Sequence, residues 1–373
     1  MTLIYNGVTI PQVKGALIYN SVQLTKLIYS GVTVWEVTAA VQALSVARDG
    51  LAGAFADKYA LFGGGINSAG TEVNTVDAYN TSLTRSTPTA LSAARHNLAA
   101  SSSTTYTLFA GGNIYNSLSA VVDAYNASLT RSTPTALSVA RELLAGISTL
   151  NHGIFAGGYD SNYHESNVVD AYDGNLTRST LTALSGAGRY LARANIGFFA
   201  YALFAGGLAS NGAISAIVDA YNTSLTKSTP TALSVARTML AGASVGNYAL
   251  FGGGTVGGST SYNTVDAYNA SLTRSTPTAL SVARSQLTGA SVGNYALFLG
   301  GMAAADYSAA VDAYNASLTR STPTALSVAR VRSAAATNGL NGTYALVAGG
   351  FKSPDYLAVV DAYSDSLNRI SST

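Results

Sequence analysis

The chain has 373 residues, of which 48% are hydrophobic and 10% charged, and this composition excludes an intrinsically disordered protein. Cysteine is absent, so disulfide scaffolds, thiolate metal sites and cysteine nucleophiles are excluded as well. The formal net charge is only +2 and the basic residues are scattered, so no basic stripe exists to bind phosphates and we expect no nucleic-acid partner.

Residues 1–37 contain three short copies of one pattern, at residues 3–10, 17–24 and 27–34, each with two apolar runs around an Asn-Gly or similar turn. The pattern predicts a small N-terminal β-hairpin module. Hairpins of this size are barely stable alone, so the module must pack against the ring, copies of itself or another protein. The start lacks the pattern of a secretory signal peptide, and no apolar run is long enough for a membrane span, so none is expected.

Residues 38–373 are dominated by an internal repeat of 46 to 49 residues, present in seven copies. Each copy contains an arginine, then a Gly-Gly pair, then the tetrapeptide Val-Asp-Ala-Tyr. The stretches 122–141, 265–284 and 311–330 are identical, which indicates duplication of one structural unit. The repeated charged residues are Asp77, Asp123, Asp170, Asp219, Asp266, Asp312 and Asp361, with Arg48, Arg95, Arg141, Arg189, Arg237, Arg284 and Arg330.

Short runs of small and β-branched residues within each copy are separated by Gly, Asn, Ser and Pro. In the fifth copy they predict strands over residues 240–245, 248–251, 263–268 and 272–275. Four such strands form an antiparallel sheet that is apolar on both faces, so the copies must pack side by side until they close a ring. The predicted fold is all-β: residues 38–373 form a seven-bladed β-propeller of four-stranded blades.

The ring can close in two ways, because the chain offers one outer strand too many. The run at Trp35 either pairs with the last blade or belongs to the hairpin module. We expect the C-terminal strand to complete its own blade.

The order of arginine, apolar run, Gly-Gly and Val-Asp-x-Tyr resembles the kelch repeat over residues 45–373, which implies a kelch-like propeller. Kelch repeats usually carry a tryptophan shortly before the arginine. This chain has a basic residue instead, at Arg85, Arg131, Arg178, Lys227, Arg274, Arg320 and Arg369. We expect the methylenes of these side chains to cover the neighbouring blade while the charged heads reach solvent.

The repeated residues are expected to be structural. The glycines supply positive φ or allow backbones to approach closely. The shared period of Asp and Arg predicts one ionic contact in each of the seven blades. Turn formation between the third and fourth strands explains the Asn-x-Ser/Thr triplets better than glycosylation does, at Asn80, Asn126, Asn175, Asn222, Asn269 and Asn315.

No residue pattern predicts catalysis, a metal site or a cofactor. A repeated contact offers equivalent environments, whereas catalysis needs an asymmetric group. His96, His152 and His164 lack metal-ligand spacing. The oxidase chemistry found on kelch-type rings uses a cross-linked cysteine, which is absent. A hydrolase or oxidase is the weakest alternative, and Asp160, His164 and Glu165 are the only residues grouped suitably for it.

Two segments of the repeat vary between copies: the loop after Gly-Gly and the residues just after the arginine. Antiparallel alternation places both at the same end of the blades, which predicts one ligand-facing surface opposite a scaffold surface. Variable loops that carry aromatic rings suit the recognition of sugars or proteins. Neutral sequence change in the loops after duplication is the alternative explanation of their variation. The predicted ligand-binding residues are Tyr115, Tyr159, Tyr163, His164, Tyr262, Tyr307, Phe351 and Tyr356.

The Tyr-Asn-Gly-Val pattern of residues 1–37 resembles short N-terminal segments of bacteriophage tail and other virion structural proteins. The resemblance implies attachment to other virion structural proteins, a location on the surface of the phage particle and an outward-facing propeller. We therefore expect a non-enzymatic structural or recognition protein of the tail or capsid, whose loops bind a host-surface glycan or protein. A bacterial surface or secreted carbohydrate-binding propeller is the alternative, and a homo-oligomer is compatible with both.

Overall fold

A computed structural model describes residues 41–372, apart from residues 198, 258, 259, 305 and 338–342, together with the strand residues between 3 and 36. Contacts divide the chain into two compact units, Met1–Ala40 and Val41–Thr373. The regular elements of the described residues are all β-strands, and none of these residues forms a helix that could span a membrane.

The first unit consists of short antiparallel strands that pair with their neighbours along the chain. Two hairpins flank a three-stranded sheet in the order β1 (Leu3–Tyr5), β2 (Val8–Ile10), β3 (Gln12–Val13), β4 (Ala16–Tyr19), β5 (Val22–Leu24), β6 (Lys26–Tyr29) and β7 (Val32–Glu36). Each sequence copy forms one hairpin. Because Trp35 lies in β7, which pairs with β6, the extra strand belongs to this unit and not to the ring.

The second unit contains seven four-stranded antiparallel sheets, blades 1 to 7, one for each copy of the repeat. Their four strands follow one another in space as in sequence. Blades 1 and 2 are β8 (Ala52–Ala56), β9 (Tyr59–Gly63), β10 (Val76–Tyr79) and β11 (Arg85–Ser86), then β12 (Ala99–Ser102), β13 (Thr107–Ala110), β16 (Val122–Tyr125) and β17 (Arg131–Ser132). A loop hairpin in blade 2 contains β14 (Asn113–Ile114) and β15 (Ser117–Leu118).

Blades 3 to 5 repeat this arrangement. They are β19 (Ala145–Ser148), β20 (Gly153–Ala156), β22 (Val169–Tyr172) and β23 (Arg178–Thr180); β24 (Ala192–Ile196), β25 (Tyr201–Ala205), β26 (Val218–Asn222) and β27 (Lys227–Ser228); and β28 (Ala241–Val245), β29 (Tyr248–Gly252), β30 (Val265–Tyr268) and β31 (Arg274–Ser275). A short pair in blade 3 joins β18 (Arg141–Glu142) to β21 (Tyr159–Asp160).

Blades 6 and 7 complete the ring. They are β32 (Thr288–Val292), β33 (Tyr295–Leu299), β36 (Val311–Asn315) and β37 (Arg320–Ser321), then β38 (Ala334–Thr337), β39 (Tyr344–Ala348), β42 (Val360–Ser364) and β43 (Arg369–Ser371). Their loop hairpins pair β34 (Met302–Ala303) with β35 (Asp306–Tyr307) and β40 (Phe351–Lys352) with β41 (Asp355–Tyr356). The strand predictions for the fifth copy agree with blade 5 to within two residues.

The first strands of successive blades lie side by side around a central channel. Small residues make this approach feasible: a Cβ atom on Gly146 would lie 2.4 Å from the carbonyl oxygen of Ala100 in the preceding blade. The innermost strand therefore tolerates few large side chains on this side.

The hydrophobic core lies between adjacent blades, so each sheet buries both of its faces. Leu61 and Val76 of blade 1 pack with Phe109 and Tyr125 of blade 2. The same contact joins the two ends of the ring, because blade 7 packs through Leu346 onto blade 1. Removal of these apolar faces from water is the main driving force for ring closure.

The ring closes without exchange of a strand between its ends. β43 pairs with β42, so the C-terminal strand completes its own blade as expected. The segment before blade 1 is held by backbone hydrogen bonds to blade 7, from Leu44 N to Ala358 O at 2.8 Å and from Arg48 N to Leu357 O at 3.1 Å. The predicted all-β, seven-bladed propeller with four-stranded antiparallel blades is confirmed.

Candidate functional site

Six of the predicted arginine–aspartate contacts form buried ion pairs. The Arg141 side chain is fully buried, and its Nη2 atom donates to Asp170 Oδ2 at 2.5 Å and its Nη1 atom to the carbonyl of Gly157 at 3.0 Å. Burial lowers the pKa of Arg141, and the Asp170 carboxylate opposes that shift. The six pairs are Arg48–Asp77, Arg95–Asp123, Arg141–Asp170, Arg237–Asp266, Arg284–Asp312 and Arg330–Asp361.

The seventh contact is absent, so the prediction is wrong for Arg189 and Asp219. One extra residue precedes Arg189, and Gly188 takes the structural position of the arginine: its carbonyl accepts from Gly158 N at 2.9 Å, as Arg141 does from Gly112. Asp219 is satisfied by Ser185 N at 2.8 Å and by Lys227. Arg189 is thereby shifted out of the blade.

The basic residues that replace the kelch tryptophan do not direct their charged heads to solvent, contrary to expectation. Arg131 Nη1 lies 3.1 Å from Asp123 Oδ1, while Arg95 holds Oδ2 of the same carboxylate. Arg178 donates to the carbonyl of Ala136 at 3.2 Å. Both oxygens of such a buried carboxylate need donors, and the outer basic residue adds a charged contact to the oxygen that also accepts from a backbone nitrogen, such as Ser92 N to Asp123 Oδ1 at 3.1 Å.

The turns between the third and fourth strands are built on asparagine in five blades, and Ser364 has the same role in blade 7. Asn126 Oδ1 accepts from the backbone nitrogens of Ser128 and Thr130, at 3.0 and 2.9 Å. In blade 3 Asp173 has this role and Asn175 is a backbone donor, so Asn175 is not equivalent to the others.

The two variable segments lie on the same face, because backbone bridges join them. Within one blade, the residue after the repeated arginine pairs with the residue after Gly-Gly, as in Asp49 with Ile66 and His96 with Asn113. We call the surface formed by these two segments the variable face. The asparagine turns connect the opposite ends of the strands and therefore lie on the other face.

The variable face carries two aromatic clusters. In the Tyr159 cluster, the rings of Tyr159 and Tyr163 lie 6.1 Å apart and the displaced Arg189 stacks 4.5 Å from the Tyr159 ring. In the Phe351 cluster, the ring of Phe351 lies 6.3 Å from Tyr307 and 5.3 Å from Tyr356.

Arg332 stacks over this second cluster, 5.0 Å from the Phe351 ring, and also pairs with Asp49 at 2.9 Å. The remaining predicted residues join neither cluster. Tyr115 is 81% exposed, His164 lies in an exposed turn, and Tyr262 is half-buried.

A ring of non-repeated residues surrounds the mouth of the channel on the variable face. Each lies two residues before an innermost strand and has a φ between +53° and +61°. Backbone bonds link successive blades here, such as Asn97 N to Gly50 O at 2.8 Å. We call this set the mouth ring: Gly50, Asn97, Leu143, Tyr190, Met239, Gln286 and Arg332.

The mouth ring was not among the predicted site residues. The signal was a different residue type in every copy, within two residues after the repeated arginine. Burial raises the pKa of the Tyr190 phenol, while the positive charges of Arg189 and Arg332 counteract the shift.

The group considered for catalysis has structural roles. Asp160 Oδ1 accepts from the backbone nitrogens of Asn162 and His164, at 2.9 and 3.1 Å. Glu165 lies 3.6 Å from Arg189. Within the part of the chain that the structure describes, no three His, Asp or Glu residues form a group that could hold a metal ion.

Comparisons with known proteins establish the fold. No protein-family model and no curated protein matches the chain. Among solved structures, that of YjhT matches with a TM-score of 0.61 at 12% sequence identity, covering 77% of this chain and all of YjhT. At this identity the likeness concerns the fold alone, so the chain has the fold of a seven-bladed, kelch-like β-propeller.

Proposed function

We propose that this chain is a non-enzymatic recognition protein of a bacteriophage particle. It attaches to other virion structural proteins through residues 1–37 and binds a host-surface glycan or protein through the variable face.

The observation that carries the proposal is the concentration of unique residues on one face of a highly repetitive ring. Rigid strands hold loops that differ between blades, which is how many proteins build binding surfaces. The Tyr159 and Phe351 clusters offer large ring areas with few rotatable bonds, and Arg189 and Arg332 add cation–π donors. Surfaces of this composition suit carbohydrates and proteins.

The N-terminal unit supports the attachment role. Its described strands are short and form two- and three-stranded sheets, which are marginal without a packing partner. Other virion proteins can supply that partner, in keeping with the resemblance of its sequence pattern to phage tail segments.

Binding can be tested on an array of bacterial surface polysaccharides and on immobilised cell-envelope fractions. We expect saturable binding by the full chain and its loss in a Tyr163→Ser, Tyr356→Ser double variant, which removes one ring from each cluster. Leu150→Ser is the matched control, because Leu150 is exposed at the opposite ends of the strands. Equal loss in the control, or silence of every array, contradicts recognition by the variable face.

Attachment can be tested by mass spectrometry of purified particles produced with the full chain or with a chain lacking residues 1–37. We expect the full chain in the particle and the shortened chain in the unassembled fraction. Full occupancy by the shortened chain contradicts the attachment role. Absence of the full chain from particles contradicts the virion assignment and favours the alternative, a bacterial carbohydrate-binding propeller.

A further inference from the structure

Blade 4 places an arginine in the central channel where the other blades have a small residue. Arg193 pairs with Phe204 in the strand register, and the equivalent positions pair with the corresponding residue of each second strand. The six equivalents are Gly53, Ala100, Gly146, Gly242, Gly289 and Ala335. A large cation at a position that otherwise holds only Gly or Ala breaks the symmetry of the channel wall.

The side chain of Arg193 has no protein partner within the described residues. Every other arginine forms an ion pair, including the shifted Arg189 with Glu165, whereas the side chain of Arg193 has neither an ion pair nor a hydrogen bond there. The Arg193 side chain is exposed to the open channel, but protein surrounds that channel on all sides. Partial removal from bulk water lowers the pKa of Arg193. An arginine nevertheless stays charged, so its charge is left without a counter-ion from the protein.

The channel has the size and lining of a small-molecule site. Its volume is about 700 Å³, within the roughly 300–1,000 Å³ typical of ligand pockets. The next layer of the wall contains the residues two positions after Arg193 and its six equivalents. Six of these seven residues have hydroxyl or amide side chains: Ser102, Ser148, Asn195, Ser244, Ser291 and Thr337. The seventh residue of this layer is Phe55, whose ring lies 6.0 Å from that of Phe199 in the turn after β24.

This aromatic pair joins blade 1 to blade 4 across the channel, on the side away from the variable face. Arg193 lies one layer closer to the mouth ring. The cavity extends from the Arg193 layer past the polar layer to the turns after the innermost strands, which include Gly197, Asn247 and Asn294, so it lies between Arg193 and the side away from the variable face.

We propose that the central channel binds a small hydroxylated carboxylate, whose carboxylate forms paired hydrogen bonds with the Arg193 guanidinium. The planar fork of arginine matches the two oxygens of a carboxylate. Among the channel-lining residues that the structure describes, Arg193 is the only charged one, so a singly charged ligand is balanced. A phosphate dianion would leave a second, uncompensated charge, which is costly inside a protein. The Ser244 and Ser291 hydroxyls can bind ligand hydroxyls.

Gluconate and sorbitol form a matched probe pair, because they differ in the carboxylate and share the hydroxyl chain. Calorimetric titration of the full chain should show saturable binding of gluconate and none of sorbitol. Arg193→Ala should weaken gluconate binding on the order of tenfold or more. Lys58→Ala removes one exposed positive charge outside the channel and should bind gluconate as the wild type does.

Arg193→Ala should fold, because alanine already occupies the equivalent position in blades 2 and 7. If it does not, the side-chain Nε–H resonance of Arg193 in the wild-type chain gives an independent readout, and it should shift with gluconate but not with sorbitol. The proposal is overturned by equal responses to the two probes, by unchanged affinity in Arg193→Ala, by an unmoved resonance, or by tighter binding of inorganic phosphate. These outcomes are independent of whether the variable face binds a host ligand.

Discussion

Arg141 and Arg189 hold the same place in the sequence repeat but different places in the structure. Arg141 follows Leu137 by four residues, and Arg189 follows Leu184 by five. Because the leucines are anchored in the core between blades, the extra residue moves Arg189 one position towards the variable face. The longer spacing between Leu184 and Arg189 indicated the shift. Because the residue is an arginine in every copy, Arg189 nevertheless looked equivalent to the other six.

The two arginines should respond very differently to removal. Arg141→Leu leaves Asp170 buried with its main partner gone, which should lower the free energy of unfolding by roughly 3–5 kcal/mol. Arg189→Leu removes a partly exposed ion pair and a stacking contact, which should cost about 1 kcal/mol or less. Urea denaturation of both variants measures the difference. Equal destabilisation would mean that Arg189 is a structural residue like the other six.

His152 should make stability depend on pH. Burial lowers the pKa of His152 below its usual value of 6.5, with Asp173 opposing the shift. The unfolded chain therefore takes up a proton at His152 before the folded one does, so this contribution to stability is present above pH 6.5 and declines as the pH falls below it.

His152→Gln should remove that contribution. The difference in melting temperature between wild type and variant should change in favour of the variant as the pH is lowered from 7 to 5. Parallel melting curves at all pH values would show that His152 does not titrate differently in the folded chain.

The Gly-Gly turn after each second strand depends on glycine for two reasons, seen at Gly111. Its φ is +69°, and a Cβ atom there would lie 2.5 Å from the carbonyl oxygen of Arg141. Gly70 has nearly the same φ, +70°, but open space around it.

Gly70→Ala should therefore cost only the backbone strain, about 1–2 kcal/mol. Gly111→Ala adds a clash with the next blade and should cost more. Chemical denaturation of the two variants separates strain from crowding, and a larger loss for Gly70→Ala would contradict the crowding of the blades at this turn.

The elements themselves were largely predictable, because the Gly-Gly and Val-Asp-Ala-Tyr motifs fix the strand order within each copy. The contacts made by long side chains could not be predicted in the same way. Arg131 was expected in solvent, yet it pairs with Asp123 Oδ1, which also accepts from Ser92 N at 3.1 Å, and only the folded ring brings these groups together. Arg193 could not be assigned to the channel, because alternation along a strand does not reveal which side faces the axis.

The ring has all the parts that it needs within residues 41–373. Every blade takes its four strands from one continuous segment, and the contact of blade 7 with blade 1 is formed by described residues of this range. A chain comprising residues 41–373 should therefore fold and unfold at the same denaturant midpoint as the ring in the full chain. Failure of this chain to fold would show that the N-terminal unit is required for closure.

Residues that repeat between the blades and residues unique to one blade lie in different parts of the molecule. The pairs, turns and glycines repeat around the ring, whereas the unique residues gather on the variable face and in the channel. Blade 4 diverges most visibly, with Gly188 in place of the structural arginine, Arg193 in the channel and Phe199 across it. The sequence repeats predicted the ring and the shared face, but neither the mouth ring nor the channel cation.

Hydrogen–deuterium exchange of the full chain, with and without the polysaccharide or envelope fraction that binds it best, tests recognition by the variable face most directly. Bound ligand should slow exchange in the loops after Gly-Gly and in the mouth ring, and leave the asparagine turns unchanged. Protection confined to the asparagine turns, or spread equally over both faces, would contradict the account.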